Sequence, residues 1–233
     1  MVKDEDIIEI IEEKPELREL VFQRGFLITN WQLDLSTLAF CNGWVKRAFG
    51  EFVIWLHPNT EFHSLCIADN VYFLIGHAYN PITKMYLEAD ILRETASAYM
   101  QGKDAGDEYL KGLTGVFLVG AINGNALSFQ SDATAMRVAY WGIVNGKLYV
   151  ASHCHLVGCI ENITRDSYVD RLISYKYYRF FGAGLPGDLS PYLELKRIQC
   201  NFEYSYMAGN MTFQRIFPKN SLTAEPYTKL IDE

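Results

Sequence analysis

Histidine and cysteine crowd together at His153-Cys154-His155, with Cys159 following. Thiolate and imidazole are the usual zinc ligands, so the cluster invites a metal reading. On a continuing strand, however, His153 and His155 face one side and Cys154 the other. Local packing is therefore preferred, and no metal is expected. A second group is His77, which can line a polar pocket with Asn80 and Glu88. A lone histidine in a turn is more often a surface hydrogen-bonder, and that reading is favoured. Glu88, Asp90 and Glu94 fall on adjacent turns of a predicted helix. They can be read as paired carboxylates, but a solvated face is the default. The glycine-rich stretch Gly182 to Gly187 has no Lys, Ser or Thr placed to cradle a phosphate, so a nucleotide loop is not supported and no cofactor is expected.

The elements that must position these residues follow from periodicity. Residues 4–14 and 15–23 read as two helices, with Ile7, Ile8, Ile10, Ile11, Leu17, Leu20 and Val21 as the apolar stripe. Pro15 suits the first turn of the second, and Gly25 ends it. The stripe is read as packed on the domain rather than as a docking face for a partner. From Phe26 the pattern becomes strand-like, with short apolar runs at 25–31, 52–56 and 71–75 bounded by Gly, Asn, Asp and Pro. Gly76 to Pro81 reads as a turn. Residues 87–101 have helical spacing, with Leu87, Ile91, Leu92, Ala96 and Met100 on one face, and a shorter helix spans 105–112. Two hairpins follow, turning at Asn123-Gly124-Asn125 and at Asn145-Gly146, since Asn-Gly supplies the positive φ that tight hairpins need. Residues 165–179 read as a helix that ends in an aromatic cluster, Tyr175, Tyr177, Tyr178, Phe180 and Phe181. Core packing is the first reading of that cluster and a partner surface the second. Strands at 195–198, 202–206 and 211–217 close the domain, and a polar tail follows from Pro218.

Composition narrows the classes. Apolar residues make up 49% and charged residues 21%, as in a globular protein able to bury a sizeable core. The net charge is −7, and residues 1–20 alone hold eight acids against three bases. An acidic chain without a basic stripe is not expected to bind nucleic acid or anionic lipid. No apolar run is long enough to span a bilayer, and no secretion signal is evident, so a cytoplasmic setting is expected. In that setting Cys41, Cys66, Cys154, Cys159 and Cys200 read as reduced, mostly buried thiols, and the sequons at Asn162 and Asn210 as chance matches.

Motif order points to a family. Tyr109-Leu110-Lys111-Gly112-Leu113-Thr114-Gly115-Val116-Phe117 resembles the L-x-G-x-F strand of class II glutamine amidotransferases, especially the asparagine synthetase type. Asp132 and Tyr140-Trp141 are similar to the Asp and aromatic pair of that family's R-D-x-x-G-x-x-P-L-Y-Y hairpin. Gly146 to Ser152 resembles G-x-L-x-F-A-S, and Gly76-His77-Ala78-Tyr79-Asn80 resembles G-E-I-Y-N. Pro191-Tyr192 through Tyr206, with Arg215-Ile216-Phe217-Pro218, is similar to the family's exit from the domain. The resemblance covers residues 24–218. It leaves 1–23 as an acidic helical extension and 219–233 as a polar tail. It implies an α+β fold, a four-layer αββα sandwich of two antiparallel sheets of the N-terminal nucleophile type.

The family's chemistry uses an N-terminal cysteine thiolate with its own α-amine as base, an Asn-Gly oxyanion hole, and an Arg and an Asp that grip glutamine. Here residue 2 is Val2, and the nucleophile position falls at Arg24, an internal residue that cannot attack. The oxyanion Asn falls at Ile75, leaving Gly76, and Glu88 stands for the substrate-reading Asp. The substrate Arg has no secure counterpart. Thr29 lies inside a predicted strand, which disfavours self-cleavage to a new nucleophile. The resemblance thus implies no catalytic residue and a remnant ligand pocket at Arg24, Gly76, His77 and Glu88. The S-G-G-x-D-S loop of the synthetase half is not matched. The expected partner is an ATP-dependent synthetase domain or subunit, with an amino-acid or peptide ligand, and a homodimer stays open. Two alternatives remain: an amidotransferase or hydrolase with an unrecognised nucleophile such as one of the cysteines, and a truncated asparagine synthetase remnant.

Overall fold

The computed structural model describes residues 4–178, 180 and 184–218, with side chains from Glu9 onward. The tail over 219–233, Phe181 of the aromatic cluster, Gly182 and Ala183 of the glycine-rich stretch, and the side chains of Ile7 and Ile8 lie outside the described residues.

The strands are β1 Phe26–Thr29, β2 Val45–Phe49, β3 Phe52–Leu56, β4 Phe62–Ile67, β5 Asn70–Tyr79, β6 Thr114–Asn123, β7 Ala126–Ser131, β8 Tyr140–Val144, β9 Lys147–Ala151, β10 Lys196–Arg197, β11 Phe202–Met207 and β12 Asn210–Arg215. The helices are α1 Asp4–Glu13, α2 Glu88–Gln101, α3 Lys103–Lys111, α4 Cys154–Ile160 and α5 Ser167–Ser174. All named strand pairs are antiparallel. One sheet has the order β10-β8-β9-β1-β3-β2 and the other β12-β11-β7-β6-β5-β4.

Strand alternation builds the layers. Phe26 and Ile28 of β1, Phe52 and Ile54 of β3, and Leu148 and Val150 of β9 point toward Phe73, Ile75, Leu118, Leu127 and Phe129 of the other sheet, forming the central core. The intervening residues Leu27, Val53, Trp55 and Tyr149 face outward and meet Ile11 of α1 and Leu156 and Val157 of α4. On the opposite face Tyr72, Leu74, Phe117 and Val119 meet Ile91, Leu92 and Ala96 of α2 and Leu110 of α3. The result is the four-layer αββα sandwich of two antiparallel sheets.

The structure corrects several local expectations. Residues 15–23 do not form a second α-helix; Pro15–Leu20 is a short 3-10 segment with Pro15 in its first turn. Ile11 is buried against the first sheet, so at least this part of the stripe packs on the domain. Leu87 and Met100 are exposed, so the buried face of α2 is narrower than its spacing suggested. The region Gly76 to Tyr79 is strand rather than turn, because β5 pairs with β6 through Tyr79. Gly76 sits at φ 107, and a Cβ there would lie 2.2 Å from the Val116 carbonyl oxygen. With no Cβ, glycine lets the two backbones pack together here and the ladder continue. The Asn145-Gly146 hairpin forms as read, with φ of 52 and 75.

Candidate functional site

The nucleophile position implied by the motifs lies just before β1. Arg24 is exposed, with φ 55, and its carbonyl accepts a 2.7 Å hydrogen bond from the Arg137 guanidinium. The Gly25 carbonyl accepts from the His57 backbone N–H at 2.9 Å and from the Thr60 hydroxyl at 2.7 Å. The next N–H, that of Phe26, donates to Ser152 Oγ at 2.9 Å. Successive main-chain groups at this corner are therefore engaged by the protein itself, as buried backbone polar groups require.

The position to which the resemblance assigns the oxyanion hole is engaged in the same way. The Gly76 N–H donates to the Glu61 carbonyl at 2.9 Å, extending the β4–β5 ladder by one rung. Ile75 is fully buried in the central core, where its side chain offers no donor. His77 projects from the same strand, with its side chain 66% exposed, and its Nδ1 lies 2.9 Å from Glu88 Oε1 at the start of α2. Burial pushes the Glu88 carboxyl up. The His77 hydrogen bond, a backbone hydrogen bond and the charges of His77 and His63 outweigh it and hold the group below the ordinary range. Asn80 is used elsewhere, its Oδ1 accepting from the N–H groups of Ile82 and Thr83. The fold thus joins His77 to Glu88 and places Gly76 beside them on β5. Arg24 lies just before β1 of the other sheet, with its carbonyl tied to Arg137. Asp90 pairs with Arg93 at 2.6 Å on the solvated side of α2.

Sequence reasoning missed the residues that close the corner: His57, Thr60, Glu61, Arg137 and Ser152. Most act through or upon main-chain atoms, which leaves no motif. Arg137 is held by Asp132, which is almost fully buried and accepts from the N–H groups of Thr134, Met136 and Arg137 and from the Thr134 hydroxyl. The Arg137 guanidinium packs on the Phe26 ring at 5.3 Å, and its Nε is buried without a partner. Burial, and the nearby Arg24 charge, lower its affinity for a proton.

Beyond Ser152, a hollow of about 650 Å³ is lined by Tyr140, Ser152, His153, Cys154, His155 and Arg197, among others. Ser152 Oγ lies 2.8 Å from His153 Nδ1. Burial first, and then the charges of Arg137, His155 and His57, lower the His153 pKa to about 4. An effective general base has a pKa near the working pH, so His153 is a weak activator of Ser152. Cys154 and His155 begin α4, and His155 Nδ1 meets the Tyr192 hydroxyl at 2.9 Å. Among the described residues no group of three His, Cys, Asp or Glu side chains converges as a metal site would require. Burial, reinforced by Cys159, pushes the Cys41 thiol up to about 12, which leaves it without thiolate at neutral pH. Among the described residues no helix is long and apolar enough to cross a membrane.

No protein-family model matches the chain, and no curated protein matches it. Solved structures with a similar outline include a glutamine phosphoribosylpyrophosphate amidotransferase from B. subtilis complexed with ADP and GMP. It shows 15% identity over 87% of this chain and 45% of that chain, with a TM-score of 0.44. Another is the structure of the allosteric regulatory enzyme of purine biosynthesis, with 14% identity over 89% of this chain and 47% of that one, and a TM-score of 0.45. This chain spans less than half the length of either structure. At this identity and score the likeness is one of outline, and no residue role passes across it.

Proposed function

We propose that the chain is a class II glutaminase-like domain of the asparagine synthetase kind whose catalytic corner is closed. It serves as a scaffold, regulatory or binding partner of an ATP-dependent amide-forming synthetase, in cis or in trans. One observation carries this reading. The motif positions of the nucleophile and the oxyanion donor, Arg24-Gly25 and Gly76, have their main-chain groups engaged by Arg137, His57, Thr60 and Glu61. An oxyanion hole works through donors aimed at empty space where charge develops. The Gly76 N–H is directed at a carbonyl instead. The hollow beside Ser152 and Arg197 is the place where an amino acid or a peptide end would be taken.

The rival reading is a working hydrolase, and its best footing is the contact between Ser152 and His153. Ser152 is held at both ends of Phe26, accepting from its N–H and lying 3.3 Å from its carbonyl oxygen, which suits a structural clasp better than a nucleophile.

A glutaminase assay tests the choice, combined with 6-diazo-5-oxo-L-norleucine, a glutamine-derived electrophile that traps the reactive thiol. No ammonia above the blank and no adduct in the intact mass are expected. An adduct on any cysteine, accompanied by ammonia release, would overturn the proposal. Co-elution with an ATP-dependent amide-forming synthetase is the expected positive result. Elution as a homodimer indifferent to the synthetase would count against the partner role.

A further inference from the structure

The outer face of the second sheet carries a hollow that the closed corner does not explain. It has a volume of about 290 Å³ and lies where α2 meets α3, over β6, β7 and β11. Small residues make it. Ala121 and Ser128 leave the outer face of the sheet low at this point, beside the larger Tyr72 and Val119. Ala121 and Ser128 stand opposite one another in the β6–β7 register, and Gln130 stands opposite Glu203. Above them the Tyr99 ring lies directly against Gly106, where a Cβ would come within 2.3 Å of it. A side chain at residue 106 would displace Tyr99 and so reshape the hollow.

The polar edge carries charged groups. Lys103 lies between two carboxylates, 3.1 Å from Asp107 and 2.7 Å from Glu203. Asp107 is 2% exposed and also accepts from the Tyr99 hydroxyl at 3.3 Å. Gln130 Nε2 donates to that hydroxyl at 3.4 Å. Lys103 and Gln214 both approach Glu203 Oε2. Burial works against the Lys103 ammonium, but Glu203 and then Asp107 outweigh it and raise its proton affinity. Burial, and then the charges of Asp107 and Glu203, keep the Tyr99 phenol protonated. Among the described residues this edge sets the Lys103 ammonium beside the Glu203 and Asp107 carboxylates. The rest of the wall is aromatic and aliphatic, and an aromatic face also attracts a cation. The hollow is at the small end of ligand pockets and takes a small molecule rather than a peptide.

We propose that this hollow binds a small primary amine with an aromatic or branched apolar body. The ammonium would sit at the Glu203 carboxylate and the body over Ala121 and Ser128. The site is separate from the closed corner, so the inference stands or falls independently of the proposed function.

Calorimetric titration of the whole chain near neutral pH with three probes of one shape tests it: phenethylamine, L-phenylalanine and 3-phenylpropionate. Phenethylamine should bind saturably, and the zwitterion and the acid at least about tenfold more weakly, the scale of one charge-assisted hydrogen bond. Amine affinity should fall as salt is raised. Glu203→Gln should weaken the amine roughly tenfold, whereas Lys103→Met, which removes the cation between the two carboxylates, should strengthen it. Ala121→Leu should fill the hollow and abolish binding. A thermal melt reports folding of each variant. If Glu203→Gln fails to fold, Ala121→Leu and the salt dependence of the unaltered chain decide. No amine binding, equal binding of all three probes, or full binding to a folded Ala121→Leu would each overturn the proposal.

Discussion

Two polar regions of this molecule have been treated in opposite ways. At the corner before β1, backbone donors and acceptors meet other protein groups, and the Gly76 N–H continues a sheet ladder. Under the α2–α3 corner, the polar groups are side chains from separate elements, Tyr99, Lys103, Gln130 and Glu203, and they surround empty volume. The difference shows what keeps a volume open. A main-chain donor beside a strand joins its ladder, because a buried unpaired N–H costs about 1–3 kcal/mol. Side chains on different strands and helices cannot collapse together without moving those elements, so the hollow persists.

The largest expected effect comes from adding side-chain carbon at each region. Gly76→Ala forces a Cβ to 2.2 Å from the Val116 carbonyl oxygen at φ 107, so either the strand or its partner must move. Strain and overpacking together should remove roughly 3–5 kcal/mol of stability, measured by denaturant unfolding. Ala121→Leu adds three carbons over the hollow and should be close to neutral, since the volume is already empty. If Gly76→Ala were as mild as Ala121→Leu, the closed corner would not be held by its backbone, and the contrast would fail.

How much of this was legible in the sequence follows the same division. The unbroken apolar runs of Phe52–Leu56 and Val71–Ile75 marked strands, and the structure buries both faces of most of their length. The strands β2 and β4 carried no such mark. Val45–Phe49 is exposed for most of its length at a sheet edge, where polar residues such as Lys46 and Arg47 hide the period. Gly76 to Asn80 has the composition of a turn, and only the match of Gly76 to β6 shows that the backbone runs straight on. Within the hollow, Lys103 and Asp107 are four residues apart on a helix and readable as a pair. Glu203 lies a hundred residues further along and joins them only through the order β7-β11. Periodicity assigns a residue to a face, but it does not say where neighbouring elements leave space.

A charge buried without an acid to meet it sharpens the comparison next. Lys103 has two carboxylate partners, whereas His153 sits among Arg137, His155 and His57. With its pKa lowered to about 4 from 6.5, His153 is neutral in the folded chain while an unfolded chain would take up a proton. Unfolding therefore binds protons between those two values, and stability falls as pH falls across that window, then levels below pH 4. The loss should be on the order of 2–3 kcal/mol. His153→Gln should flatten this limb in urea melts taken across the window. An unchanged limb would mean that His153 titrates normally and that the cationic surroundings are screened.

The smallest effect is at the join between β5 and α2. His77 is largely exposed, so the pair with Glu88 contributes less than about 1 kcal/mol. Its effect on Glu88 is easier to read than its energy. Burial alone would raise the Glu88 carboxyl, and the His77 hydrogen bond is the first of the contributions that reverse the sign. A carboxyl lowered in the folded state contributes stability above its unfolded pKa, and that contribution is lost as pH falls through the lowered value. In His77→Ala the Glu88 carboxyl should titrate at higher pH, visible as a shifted side-chain carbonyl resonance, while the melting temperature barely moves. Should the variant instead lose several kilocalories per mole, the strand at Gly76 would depend on a side-chain clasp after all. The closed corner would then be built like the hollow, from side chains that can be removed one at a time.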